Sequence, residues 1–359
     1  MAIACLLGLM PTIAAAQSSK ASRGRRAESK GTELRLDEAA DKKLLAIGDS
    51  GFKLHHTPHY VVAFNTDDAA LRNLVHRIEV TYNSVVRFAD RIGVDVKEPD
   101  AKLEILFFDS LDGYRAYGRG VGFAAGEQAP GFYLHDTNRS AFFNYANASV
   151  VVEARERAAD ENLRRQVAAR SGARFDDRTL RAFEANIQLH QERVNRLIVQ
   201  HEVAHQVLFN IGLHAPGVRN PRWFVEGLAM MFETPPSRSG AGLGGINQYR
   251  LGDWLTLEQD DQLKSWTTLV GDANLLAPTN PDAVSGYAQA WALVHYLQRT
   301  KRKQLSVYID RIRKRSEDRL YDRDEEIAAF VAAFGHFDAR FQRKFHKYIK
   351  RLPYRPSEG

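Results

Sequence analysis

From residue 59 onward the apolar positions switch between two periods. "HYVVAFN" (59–65) is a short apolar run with polar flanks and predicts a buried strand. Leu71, Leu74, Val75, Ile78, Tyr82, Val85, Ala89 and Ile92 then recur at spacings of three and four, predicting a helix with Thr66 as its N-cap and Gly93 as its stop. "KLEILFFD" (102–109) predicts a second strand, and "DSLDGYRAYGRG" a short helix capped by Asp109 or Ser110. Two apolar runs around Asp136-Thr137-Asn138 make "GFYLHDTNRSAFFNY" (131–145) a β-hairpin. The expected order is β-α-β-α-β-β, an α/β unit assigned to residues 53–152.

Residues 153–193 are strongly charged and helix-favouring, with a break near Ser171-Gly172, and read as a solvated helical insertion. Residues 194–352 read as mostly helical, with a Gly/Pro-rich loop at 234–247. The predicted class is therefore α+β: an α/β unit with an edge hairpin, packed on a helical unit. Ahead of both, residues 2–13 are almost wholly apolar, and Ala14 and Ala16 stand in the A-x-A arrangement of a signal-peptidase site. We expect residues 1–16 to be a signal peptide and the protein to be exported, to the periplasm or beyond the cell. Residues 17–52 then form a flexible basic leader with one short helix around "LRLDEAADKKLLAIG".

Composition narrows the chemistry. The one cysteine, Cys5, falls within the expected signal peptide. Its removal leaves no thiolate for metal ligation or nucleophilic attack. No transmembrane segment is expected once the signal is removed. The formal net charge of +6 is thinly spread and accompanies no nucleic-acid-binding module. It predicts a weak preference for anionic surfaces and no specific nucleic-acid partner.

The strongest chemical signal is "RLIVQHEVAHQVLFNIG" (196–212). Residues four apart on a helix lie roughly 40° apart in projection, so His201 and His205 can chelate one divalent ion from a single face. Glu202, turned by roughly 100°, cannot ligate equivalently but can reach water at the metal. A catalytic zinc takes three protein ligands. A third histidine preceded by glycine is excluded, because Leu208 and Ile211 occupy those positions. "WFVEGLA" offers Glu226 instead, twenty-one residues after His205 in an apolar setting where an unpaired carboxylate is costly to bury. Glu233 is the runner-up.

H-E-x-x-H followed about twenty residues later by W-F-x-E-G-L-A resembles the gluzincin zinc peptidases, in particular the peptidase MA-like group of exported bacterial proteins. "APGFYLHDTNRSAFFN" resembles that group's edge hairpin over the cleft, "YAQAWALVHYL" its downstream helix, and "FGHFDARFQRKFHKYI" its terminal helix. The resemblance covers about residues 55–350. It implies one zinc ion held by His201, His205 and Glu226, with Glu202 as catalytic base, acting on a peptide or protein substrate. It also implies a hydrogen-bond donor for the oxyanion from downstream, for which Tyr287 is the candidate. One departure stands out. Many gluzincins carry an Asp four residues after the ligand Glu to orient a zinc histidine, and here that residue is Met230, leaving Asn195 or Glu233 as substitutes.

Three further expectations concern the surroundings. An exposed edge strand at 131–145 can pair with an extended peptide, Gly131 permitting close approach. His214 lies in the loop after the motif helix, where it can line the cleft, and His295 reads as a core histidine. The rival to a peptidase is a fold relative that has lost activity and serves as an envelope binding module, or an amide hydrolase with non-peptide substrates.

Overall fold

The computed structural model describes residues 2–3, 34–47, 51–170, 178–215, 220–234, 236–237, 240–241, 245–277, 279–316 and 319–355. The expected signal peptide, apart from Ala2–Ile3, and most of the leader lie outside them. So do the break at Ser171-Gly172 and part of the 234–247 loop. The fold is α+β. Its strands are β1 (Ala2–Ile3), β2 (Lys53–His56), β3 (Tyr60–Phe64), β4 (Leu103–Phe108), β5 (Gly131–Leu134) and β6 (Arg139–Phe143), in the spatial order β1-β5-β6-β4-β3-β2. β3, β4 and β6 run parallel, and β5 folds back antiparallel on β6. Between them come α1 (Glu38–Ile47), α2 (Asp68–Ile92) and α3 (Leu111–Gly120).

The hydrophobic pattern anticipated this half well. α2 buries Leu71, Leu74, Ile78, Tyr82, Val85, Ala89 and Ile92, and Gly93 ends it in the left-handed conformation at φ 72°. Its cap is Asp67, one residue beyond the expected Thr66: the Asp67 carboxylate accepts from the backbone N–H groups of Ala69 and Ala70. Ser110 caps α3. β2 was not expected. Its sequence, Lys-Leu-His-His, is mostly exposed and carries no apolar run, so only pairing with β3 makes it a strand.

The helical half comprises α4 (Ser149–Arg170), α5 (Arg178–Asn195), α6 (His201–Asn210), α7 (Arg222–Met230), α8 (Gln248–Gln259), α9 (Trp266–Gly271), α10 (Ala283–Thr300), α11 (Arg302–Arg313), α12 (Arg323–Phe334) and α13 (Ala339–Ile349). A two-residue pair, β7 (Pro236–Ser237) and β8 (Gly240–Ala241), follows α7. The motif helix does not begin near Val194 as expected. A single π-helical turn, Arg196–Gln200, joins α5 directly to α6. That turn buries Leu197, Ile198, Val199 and Gln200 in succession, and the burial continues through α6 to Leu208. Among the described residues no helix is long and apolar enough to cross a membrane.

Two glycines set how closely the site's elements approach. A Cβ on Gly131 of β5 would lie 2.5 Å from the Phe142 ring and 2.6 Å from Ile198 Cγ2. Gly131 therefore brings β5 onto the π turn, and the close approach expected there serves internal packing; β5 is not the exposed edge expected of it, being buried along its length and paired on its outer side with β1. A Cβ on Gly227 would lie 2.7 Å from the Ala290 carbonyl oxygen of α10. That helix is buried on all sides from Ser285 to Gln298, so α7, and Glu226 with it, is seated directly on the core.

Candidate metal centre

Gln206, a buried side chain of α6, anchors the helix to the sheet. Gln206 donates to the carbonyls of Glu104 on β4 and Asn138 in the hairpin turn, at 3.1 and 3.0 Å, and accepts from the Ser140 hydroxyl at 3.0 Å. With Gln206 turned to the sheet, His201 and His205 face α7. Their Nε2 atoms stand 3.0 Å apart, and Glu226 Oε2 lies 3.3 Å from His201 Nε2 and 3.6 Å from His205 Nε2. All three side chains are wholly buried.

This triangle fits a metal ion. Ligands about 2.0–2.1 Å from a tetrahedral ion lie roughly 3.3 Å from one another, and the three edges bracket that value. Both Glu226 oxygens are buried without a hydrogen-bond partner by strict geometry, as is Oε1 of Glu202. Such atoms are rarely left so in a folded protein. Among the described residues, His201, His205 and Glu226 are the grouping of His, Cys, Asp and Glu that can hold an ion.

The protonation states suit ligation too. Burial pushes the His205 imidazole below its ordinary pKa and keeps it neutral. Burial alone would raise the Glu226 carboxyl, but the adjacent His201 and His205 rings more than offset it and hold it well below the usual carboxylate range. A neutral imidazole and an ionised carboxylate are the forms that bind a divalent cation. Glu202 differs. Burial raises it well above the carboxylate range, although His201 and an N–H from β5 oppose the shift. That N–H belongs to Tyr133, which donates to Glu202 Oε2 at 3.0 Å.

Behind His201 the position that Met230 leaves open is filled by Glu233. Its Oε1 lies 2.8 Å from His201 Nδ1, fixing the ring with Nε2 toward the cluster. Glu233 is itself held by Asn247, which donates to Oε2 at 2.6 Å, and by Arg250, whose Nε and Nη2 lie 3.4 Å from its two oxygens. Burial would raise Glu233, but Arg250 is the main influence keeping it ionised. Glu233 is thus the orienting partner of a histidine, and the runner-up ligand stands outside the triangle. Asn247 was missed in the sequence. Its position before α8 marks it as an N-cap, and its Oδ1 does accept from the Arg250 N–H at 3.2 Å, but nothing local reveals the bond to Glu233.

The remaining sequence candidates fall in distinct places. The Tyr287 hydroxyl donates to the Leu276 carbonyl at 3.3 Å, and its ring adjoins the Arg250 guanidinium at 5.4 Å. His295 packs in the core, its Nδ1 3.0 Å from the Tyr348 hydroxyl. His214 is wholly buried between the rings of Phe209 and Phe224, outside the triangle of ligands.

Residues 196–318 match the profile of a family described as a protein of unknown function, DUF1570. The match begins at the π turn and takes in α6, α7 and α10, hence all three members of the cluster, but not β5, which touches Glu202. No curated protein matches the chain.

Proposed function

We propose that this protein is a zinc-dependent hydrolase of peptide bonds, exported from the cell. The reading is carried by the buried triangle of His201, His205 and Glu226 with Glu202 beside it. The resemblance of HEVAH and WFVEGLA to the gluzincin peptidases favours zinc among divalent ions. The apolar run ahead of Ala14 and Ala16 supports export. His201, His205 and Glu226 are the proposed ligands, with Glu233 and Arg250 holding His201 in its ligating orientation. Zinc bound there supplies a Lewis acid that polarises an amide carbonyl and makes water nucleophilic near neutral pH. Glu202 takes the proton of the attacking water and delivers it to the leaving amine. Its high proton affinity suits the second half of that task. Tyr287 is the proposed donor to the oxyanion, exchanging its bond to Leu276 for one to the substrate. β5 lies against Glu202, and a substrate that displaces the Tyr133 N–H from it frees the carboxylate to act.

The second reading is a metal-bearing module without activity. It is favoured by the complete burial of Glu202 and the three proposed ligands, since substrate enters only when the elements over them part. One experiment separates the two. The zinc-loaded protein and its Glu202→Gln variant are offered a mixed peptide library and an unfolded protein, with zinc content measured in parallel. A peptidase loses roughly 10²–10⁴-fold in rate in the variant while both forms keep one zinc. Zinc in both forms without cleavage by either establishes the inactive module, and no zinc in either refutes the metal centre.

A further inference from the structure

Beside the triangle lies a second set of buried polar atoms that the metal does not explain. Arg222 opens α7 four residues before Glu226, so the two side chains leave the same helix face about 6 Å apart along the axis. Its Nε and Nη2 are buried and make no hydrogen bond. Those two N–H groups form the guanidinium edge that grips a carboxylate through two parallel bonds. Other half-buried arginines have that need met within the protein: Arg315 binds both oxygens of Glu326 at 2.6 and 2.7 Å, and Arg139 pairs with Glu104. His214, which also packs against α7, is a second such group. It is fully buried, neither ring nitrogen has a partner, and its ring meets Phe224 of α7 at 5.8 Å between centroids. Both groups lie within electrostatic reach of His205, and burial pushes His214 down to about 3, so it is a neutral donor and acceptor. Arg222 is half-buried whereas the three proposed ligands are wholly buried.

We propose that Arg222 binds a carboxylate carried by the substrate, one helical turn from the proposed ligand Glu226. The inference rests on the reading of the triangle as a hydrolytic metal centre and adds the substrate class. The enzyme acts on chains that present a carboxylate near the scissile bond, either the free C-terminus or an acidic side chain.

The test uses the full-length zinc-loaded protein and calorimetric titration with small hydroxamates, which chelate the metal. Succinic and glutaric monohydroxamates carry a carboxylate at two reaches, and butyro- and valerohydroxamate are their uncharged counterparts. At least one charged ligand should bind roughly tenfold or more tighter than its counterpart. Arg222→Gln should abolish that preference while leaving the uncharged ligands unchanged, and Arg222→Lys, which keeps the charge but loses the fork, should retain part of it. Equal affinities in the native protein overturn the proposal, as does a preference that survives Arg222→Gln. A native protein that takes up no zinc refutes the metal reading itself, and the zinc assay separates that failure from the others. Competition by a peptide with a free C-terminus, its amide, and an amide with an internal glutamate identifies which carboxylate the site takes.

Discussion

His59 and His201 each hold a glutamate through Nδ1, His59 with Glu79 at 2.6 Å and His201 with Glu233 at 2.8 Å. The first pair joins the sheet to α2 and the second joins α6 to the end of α7. Around His59 the structure closes on itself: the other Glu79 oxygen accepts the His59 backbone N–H at 3.0 Å, and the Tyr82 ring stacks on the imidazole at 3.7 Å. Around His201 it does not close. The second nitrogen faces His205 and Glu226, whose oxygens lack hydrogen-bonding partners. A histidine–carboxylate contact is therefore a device for fixing a ring, and what the ring's other nitrogen faces decides whether the result is packing or a metal site.

The comparison breaks most sharply on metal. Zinc should raise the melting temperature of the native protein, since a ligand that binds only the folded state at about 1,000 times its Kd stabilises by about 4 kcal/mol. Glu226→Ala should abolish the zinc-dependent rise, as measured by thermal unfolding with and without chelator. An equal rise in the variant would remove Glu226 from the site.

Exchanging the two glutamates sharpens it. Glu233→Gln should weaken zinc binding by about 10–100-fold, measured by competition with a chromogenic chelator, because His201 loses its orienting carboxylate. Glu79→Gln should leave zinc affinity untouched and lower stability by about 1–2 kcal/mol in denaturant unfolding. If Glu79→Gln weakened zinc binding as strongly as Glu233→Gln, the two pairs would not be distinct in role.

The smallest effect is on pH. Burial raises Glu79, but hydrogen bonds from His59 outweigh it, so its folded pKa lies below the ordinary value. Its contribution to stability is complete above the unfolded value of about 4.3 and is lost as pH falls through the lower folded value. Stability of the native protein should therefore decline more steeply with acid below about pH 4.3 than that of Glu79→Gln, the difference shrinking as both carboxyls protonate. Parallel slopes in acid would show that the His59 bonds do not shift Glu79.

Much of the architecture was legible because it depends on local spacing. The apolar period placed β3, α2 and β4, and the turn residues placed the hairpin. β2 was invisible, since an exposed four-residue strand has no pattern of its own and exists only by pairing with β3. The join between α5 and α6 was misplaced. A helix start is read from a cap, and a π turn continues the chain without one.

At the centre, the sequence by itself determined the chelating pair and the helix that carries Glu226. Residues four apart must share a helical face, and a glutamate in an apolar segment demands a partner. Tertiary structure alone decided the rest. Glu233 reaches His201 across 32 residues and the Tyr133 N–H reaches Glu202 across 69, and Arg222 is left with a guanidinium edge that nothing in the protein fills. Hydrogen bonds of that reach depend on how helices and strands are packed, and no local spacing encodes the packing.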